Sequence, residues 1–151
     1  MAKNCEIGKV VEIPLENGYF GYGLILNEPV VAFSKQVFSK PQQDFISLFD
    51  GPVFCIWVMK LALGEQGWNK VGKLEDHALF HSHQKFYKFD LISKKFSIYS
   101  GAQEASAEKS ECLELECAAV WDREHVEDRL LSLSEGNECK WTTLLRADRQ
   151  A

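Results

Sequence analysis

The feature that most constrains the fold is a pair of strand-like segments joined by an Asn-Gly turn near the start of the chain. Residues 8–15 alternate in the manner of a strand, and residues 19–26 form a returning strand of the same length. Between them, Asn17-Gly18 supplies the positive φ that a tight hairpin requires. A second turn at 27–29 leads into a short apolar segment, 30–33. The chain is therefore predicted to open as an antiparallel meander.

Gly21 and Gly23 fall on one face of the second strand, which predicts a bend or a close approach of another part of the chain. Farther along, the patterns of both secondary structures recur. Strands are predicted at 52–59, 68–72, 85–92, 96–99 and 111–117. Helices are predicted near 41–49 and 123–134, with a last turn or two from Lys140.

Two of these segments carry more specific expectations. In the strand over 111–117, Leu113, Leu115 and Cys117 should share the buried face. In the helix over 123–134, Val126, Leu130 and Leu133 should form the apolar stripe, with Asp122 as N-cap and Gly136 as terminator. The small polar residues 102–110 predict a loop or a mobile edge.

The predicted fold class is α+β, a curved and mostly antiparallel β-sheet with two short helices packed on it. A chain of 151 residues suits one domain, and neither an internal repeat nor a long linker divides it, so residues 1–151 are predicted to form a single domain.

Compartment and cysteine usage point the same way. The N-terminus lacks the apolar stretch of a secretory signal, and the longest apolar run, Val53 to Met59, is too short to span a bilayer. The five cysteines, an odd number without a C-x-x-C pair, are typical of free thiols in a reducing compartment. We therefore expect a cytoplasmic protein that does not contact membranes.

Enzymatic motifs are weak in this sequence. Neither a Gly-x-Ser-x-Gly elbow nor a phosphate-binding glycine loop followed by a helix is present. The histidines His77, His81 and His83 are the closest approach to a metal cluster, although H-E-x-x-H is missing and ordinary loop histidines explain them as well. A small metal- or ligand-binding enzyme built on these three residues is the alternative function. The main expectation is no enzyme, no cofactor and no metal.

Negative charge is concentrated in the last third of the chain. Residues 101–151 contain 12 acidic and 6 basic residues, whereas residues 1–100 contain 10 and 11. A strand followed by a helix could present several of these carboxylates on one surface: Glu111, Glu114, Glu116, Asp122, Glu124, Glu127 and Asp128. Such a run can be a solvated face only. It can also attract a basic protein partner, while direct nucleic-acid binding is disfavoured.

Several segments together resemble the immunity protein 26 family. They are Gly8-x-Val-Val-x-Ile-Pro-Leu15, Gly21-Tyr-Gly-x-Ile-Leu26, Val30 to Phe33, Trp68-x-x-Val-Gly72-Lys73 and Ala119-Val-Trp-x-x-Glu-His-Val-x-x-Arg-Leu130. The resemblance covers about residues 8–131.

The resemblance implies an antidote that binds a cognate toxin domain of a contact-dependent or polymorphic toxin system and blocks it. It implies no catalytic residues. With the acidic charge, it favours a nuclease-type toxin as partner and the seven carboxylates as the binding surface, and we expect Glu114→Lys with Glu116→Lys to weaken binding without harming the fold. The toxin's activity, the mode of blocking and the oligomeric state stay open. A Tudor- or SH3-like reader module, suggested by the short strands of residues 8–33, is a weaker idea.

Overall fold

The computed structural model describes residues 6–27, 29–101 and 103–150. It contains ten strands, which are β1 (Lys9–Pro14), β2 (Phe20–Ile25), β3 (Val30–Ser34), β4 (Val53–Val58), β5 (Asn69–Lys73), β6 (Lys85–Asp90), β7 (Lys95–Ser100), β8 (Gln103–Ala107), β9 (Glu116–Cys117) and β10 (Val120–Trp121). Its helices over the described ranges are α1 (Phe45–Asp50), α2 (Lys60–Leu63), α3 (Lys109–Cys112), α4 (Arg123–Glu135) and α5 (Lys140–Leu144), with 3₁₀ turns at Ala78–His81 and Ala147–Arg149.

The predicted opening meander is the centre of the larger sheet. Six strands pair in the order β10-β4-β3-β2-β1-β5, and every pair is antiparallel except β10 with β4. The turn at Asn17-Gly18 forms as expected, with Gly18 at φ +86°. Side chains of both faces are buried, which explains why β4 reads as a continuous apolar run.

Helix α4 covers one face of the larger sheet, where Leu130 packs over Gly21. A Cβ added to Gly21 would lie 2.7 Å from the Leu130 Cδ1 atom, so this glycine permits the close approach expected from its position. Val126 and Trp121 join Leu130 in the core on this side. On the opposite face, α1 contributes Leu48 and Phe49.

The second sheet has four strands in the order β8-β7-β6-β9, antiparallel except for the pair of β6 with β9. Its Phe86 is buried in the same cluster as residues of the larger sheet. Tyr87, on the other face, packs with Cys112 and Ala147. The α+β class is thus confirmed, but the strands form two mixed, mostly antiparallel sheets instead of one.

One short segment connects the two sheets. Residues 116–121 contain β9, which pairs with β6 of the second sheet, and β10, which pairs with β4 of the larger sheet. Only Ala118 and Ala119 separate the two strands. Six residues of the chain therefore supply one edge strand to each of the two sheets.

Two local predictions between residues 102 and 117 need correction. The segment expected to be a loop or a mobile edge contains β8, an edge strand that pairs with β7 along its whole length. The segment expected to be one strand instead begins as α3, because Glu108 and Glu111 form a reciprocal capping box that satisfies the backbone N–H groups of a helix start. Cys112 is consequently buried, and Leu113 is exposed.

Helix α4 follows its predicted boundaries, and Gly136 ends it in the left-handed conformation at φ +71°. Its buried stripe differs from the predicted one: Val126 and Leu130 are buried as expected, whereas Leu133 is exposed and Arg129 is buried in the core-facing row. Among the described residues, none of the helices is long and apolar enough to cross a membrane.

Candidate functional site

The seven carboxylates proposed as a binding surface lie on α3, on β9 and its preceding turn, and at the start of α4. Glu111 is in α3, Glu114 in the turn and Glu116 in β9. Asp122 precedes α4, and the other three belong to its first two turns. An ion pair between Glu116 and Arg129 holds β9 against α4. This ion pair therefore links the segment that carries Glu111, Glu114 and Glu116 to the helix that carries the other carboxylates.

Glu116 is committed to this ion pair. The Arg129 guanidinium donates from Nη1 to Glu116 Oε1 at 3.0 Å and from Nη2 to Oε2 at 2.7 Å, a bidentate arrangement. The same guanidinium lies over the Phe54 ring, 3.8 Å from its centroid. It also lies over the Trp121 ring, at a greater distance. Arg129 is only 9% exposed, so its charge depends on Glu116 for compensation.

Glu127 and Asp128 also accept hydrogen bonds within the protein. Glu127 Oε2 accepts from the Trp68 indole at 2.9 Å and from Arg123 Nε at 3.0 Å. Asp128 Oδ2 accepts from the Trp141 indole at 2.9 Å. These carboxylates fasten α4 to the segment before β5 and to α5. Their main role is therefore in holding the helix in place.

Glu111 and Asp122 are exposed but have local partners. Glu111 accepts from the Glu108 backbone N–H at 2.9 Å in the capping box of α3. Asp122 Oδ2 lies 4.0 Å from His125 Nδ1, and the His125 ring stacks on Trp141 with centroids 3.7 Å apart. Their charges still face solvent and are available to a partner.

Glu114 and Glu124 are the two carboxylates with the fewest commitments. Both are exposed, and neither takes part in any hydrogen bond or ion pair found within residues 6–27, 29–101 and 103–150. A depression of about 330 Å³ lies beside Glu114, with Leu113, Leu115 and Leu145 among its lining residues. Glu116, Thr142 and Arg146 also line this depression, so its lining is mixed and already contains a cation.

Similarity to a known protein family shows which family the chain belongs to. Residues 6–98, well over half of the chain, match the model of immunity protein 26. The chain belongs to the immunity protein 26 family. The match begins just before β1 and ends within β7, so the motif at 119–130 and the seven carboxylates lie beyond it. Searches of curated proteins and of solved structures returned no match.

Immunity proteins of polymorphic toxin systems are typically inhibitors without catalytic activity. In this chain, two of the three histidines singled out in the sequence are held by hydrogen bonds to local partners. His77 accepts the Leu79 backbone N–H on Nδ1 at 3.1 Å, so its Nε2 carries the proton donated to Asp50 at 3.0 Å. His81 instead pairs with Asp76 at 2.7 Å. That hydrogen bond is the first cause of the lowered pKa of the Asp76 carboxyl.

His83 is placed apart, beside Gly101. The predicted grouping of His77, His81 and His83 therefore does not form, because each ring faces different neighbours. Across the ranges that the structure describes, no three His, Cys, Asp or Glu side chains come together in a way that could hold a metal ion.

The cysteines of this immunity protein show no sign of nucleophilic activation. Cys55, Cys112, Cys117 and Cys139 are free thiols, and only Cys117 is partly exposed. Burial, reinforced by the charge of Glu116, raises the pKa of Cys55 to about 11. A thiol with a raised pKa is protonated at neutral pH and a poor nucleophile. Cys5 lies outside the described residues.

A cavity of about 510 Å³ lies where the two sheets meet. Its wall is aromatic: Trp57 of β4 makes edge contacts with Phe86 and Tyr99, at centroid distances of 5.6 and 6.0 Å. His83 and Gln84 supply polar groups at its rim. Local sequence gives no signal for this aromatic wall, because Trp57 lies far along the chain from Phe86 and Tyr99.

Proposed function

We propose that this protein neutralises a cognate toxin domain by direct protein–protein contact, and that its acidic surface makes that contact. Family membership supports the toxin as partner. The observation that carries the choice of surface is the exposed pair Glu114 and Glu124, which remain uncommitted where other carboxylates of the region are engaged. An acidic surface speeds association with a basic partner.

The chemistry of such a partner follows from the surface. A nuclease-type toxin carries a basic cleft for the phosphate backbone, and carboxylates placed over that cleft would compete with nucleic acid for the same cations. The immunity protein would then act as a stoichiometric inhibitor in the compartment where the toxin arrives, the cytoplasm. Residues 1–151 would act as one domain in this role.

The test is a charge reversal that spares the structural carboxylates. Glu116→Lys is unsuitable, because it would place a second cation against the buried Arg129. The pair Glu114→Lys with Glu116→Lys would therefore disturb the fold, and Glu124 takes the place of Glu116 in the test. In Glu114→Lys with Glu124→Lys, we expect the Kd for the toxin domain to rise at least about tenfold, chiefly through slower association. The partner is the C-terminal domain of the protein encoded by the gene immediately upstream. Surface plasmon resonance measures its binding to each variant.

The matched control is Glu65→Lys with Glu75→Lys. Both residues are exposed and lie outside the acidic surface, and the pair changes the net charge by the same amount. If the two double variants weaken binding equally, net charge alone would explain the effect. If neither weakens it, the acidic surface would be removed from the account. Absence of any complex with the unaltered protein would reject the immunity role with this partner.

A further inference from the structure

The hairpin between β6 and β7 carries two apolar side chains at its tip, where turns are normally polar. Leu91 is 71% exposed and Ile92 is 95% exposed, the most exposed large apolar residue in the described part of the chain. Single exposed apolar residues are common on protein surfaces. Two in succession at the end of a projecting hairpin form a small apolar surface, which we call the hairpin tip (residues 90–95).

The hairpin tip is held in one conformation by its own hydrogen bonds. Asp90 Oδ1 accepts from the backbone N–H groups of Ile92 at 2.8 Å and Ser93 at 3.3 Å. The Lys94 N–H donates to the Asp90 carbonyl at 2.7 Å, and Lys94 adopts φ +61°. These bonds fix the turn before any partner binds, which lowers the entropy cost of using it as a contact.

The surroundings of the tip are basic, although the whole chain carries a net charge of −5. Lys88, Lys94 and Lys95 lie on or next to it. Of the carboxylates near them, Asp90 is occupied by the turn, and Glu108, which follows Ala107, the strand partner of Phe96, is engaged in the capping box of α3. Lys88 rests over the Tyr99 ring at 4.9 Å. None of the ion pairs found among the described residues involves Lys94 or Lys95.

We propose that the hairpin tip is a second contact with the toxin domain, in which Leu91 and Ile92 enter an apolar pocket bordered by carboxylates. This inference rests on the proposed function, because it takes the toxin domain as partner. We expect the border of the pocket to be acidic, because the ammonium groups of Lys94 and Lys95 require acidic neighbours once they are desolvated. The toxin surface would then be basic opposite the acidic surface and acidic opposite the tip.

An anionic membrane is a less suitable partner for the same features. Two apolar side chains bury little area in a bilayer, and stable membrane attachment requires a larger apolar face or an additional anchor. The net negative charge of the protein also opposes approach to an anionic surface. A protein pocket, by contrast, can enclose two preorganised side chains completely.

The first experiment removes the apolar groups while keeping the turn. In Leu91→Ser with Ile92→Ser, the hydrogen bonds of Asp90 use only backbone donors and remain available. We expect the Kd for the upstream-encoded toxin domain to rise at least about tenfold, mainly through faster dissociation. The matched control is Ile46→Ser with Leu61→Ser, which removes the same two side-chain types at sites that are 61% and 74% exposed.

The second experiment reverses the charge of the border. Lys94→Glu with Lys95→Glu should slow association several-fold and alter its dependence on salt. Lys40→Glu with Lys60→Glu makes the same change in net charge at exposed positions elsewhere and should have a smaller effect, in the direction set by net charge alone. Circular dichroism and thermal unfolding establish that each variant is folded.

The results of these experiments distinguish a failure of the tip contact from a failure of the proposed function. A complex that forms normally with the Leu91/Ile92 variant, or one weakened equally by the Ile46/Leu61 control, would overturn the tip contact and leave the immunity role standing. Failure of the unaltered protein to form any complex would reject both. Tip-dependent binding to phosphatidylserine vesicles, or tip-dependent self-association in sedimentation, would likewise overturn the proposal by assigning the tip to lipid or to a second copy.

Discussion

At the scale of single residues, Arg129 shows how an ionised side chain can occupy a core position. Its guanidinium is stacked on Phe54 and donates hydrogen bonds to both oxygens of Glu116, so burial costs less than it would for an isolated charge. The pair also connects β9 to α4. Removing one partner should therefore affect packing, charge balance and the connection together.

We expect Arg129→Ala to lower the free energy of unfolding by about 2–3 kcal/mol, because it leaves Glu116 uncompensated and uncovers the Phe54 ring. Urea denaturation followed by tryptophan fluorescence measures this change. Arg146→Ala is the matched control: Arg146 pairs with Asp148 and Glu138 on the surface, so its loss should lower the free energy of unfolding by clearly less than the loss of Arg129. Equal losses in the two variants would show that the Glu116 pair contributes no more than a surface pair.

At the scale of secondary-structure elements, the contact between β2 and α4 depends on the missing side chain of Gly21. Gly21→Ala should destabilise the protein by about 1–3 kcal/mol, because the new Cβ would force Leu130 out of position. Gly51→Ala, at a site with open space and an ordinary extended φ, should be nearly neutral. Thermal unfolding compares the two. Combining Gly21→Ala with Leu130→Val should cost less than the sum of the single changes, and simple additivity would contradict the proposed contact.

The elements also show what local sequence can predict. The strands β1 to β7 and helix α4 were expected to within a few residues, because apolar periodicity and strong turn residues such as Asn17-Gly18 act locally. Strand β8 was missed because its polar and small residues pair only with β7 and bury little. The division into two sheets was missed because it depends on which strands pair: β5 pairs with β1, whereas β6 pairs with β7 and β9, and local sequence does not encode that choice.

The candidate site was partly predictable for the same reason. Sequence revealed where the carboxylates are concentrated, but not that Glu116, Glu127 and Asp128 are bound by partners from distant segments. The exposed Leu91 and Ile92 were included in a predicted strand. A consecutive apolar pair placed between Asp90 and the lysines of a hairpin turn is the signal that could have identified them.

At the scale of the whole molecule, the region matched by the family is not self-sufficient. Trp121, Val126 and Leu130 are buried against the larger sheet, yet all lie beyond residue 98. A chain ending at residue 98 would expose one face of that sheet. We expect it to be unfolded or aggregated, as judged by circular dichroism and by narrow dispersion in an amide NMR spectrum, whereas the full chain should give a dispersed spectrum. A well-dispersed spectrum of the shorter chain would contradict this dependence.

The short link formed by residues 116–121 has a consequence for synthesis. Because β9 and β10 each complete a sheet edge, β6 and the strongly apolar β4 stay unpaired along those edges until this segment leaves the ribosome. Open apolar edges on a nascent chain invite pairing with other chains. The last third of the protein must therefore arrive before the first two thirds are protected, and the delay between translation and a folded protein is set by the end of the chain.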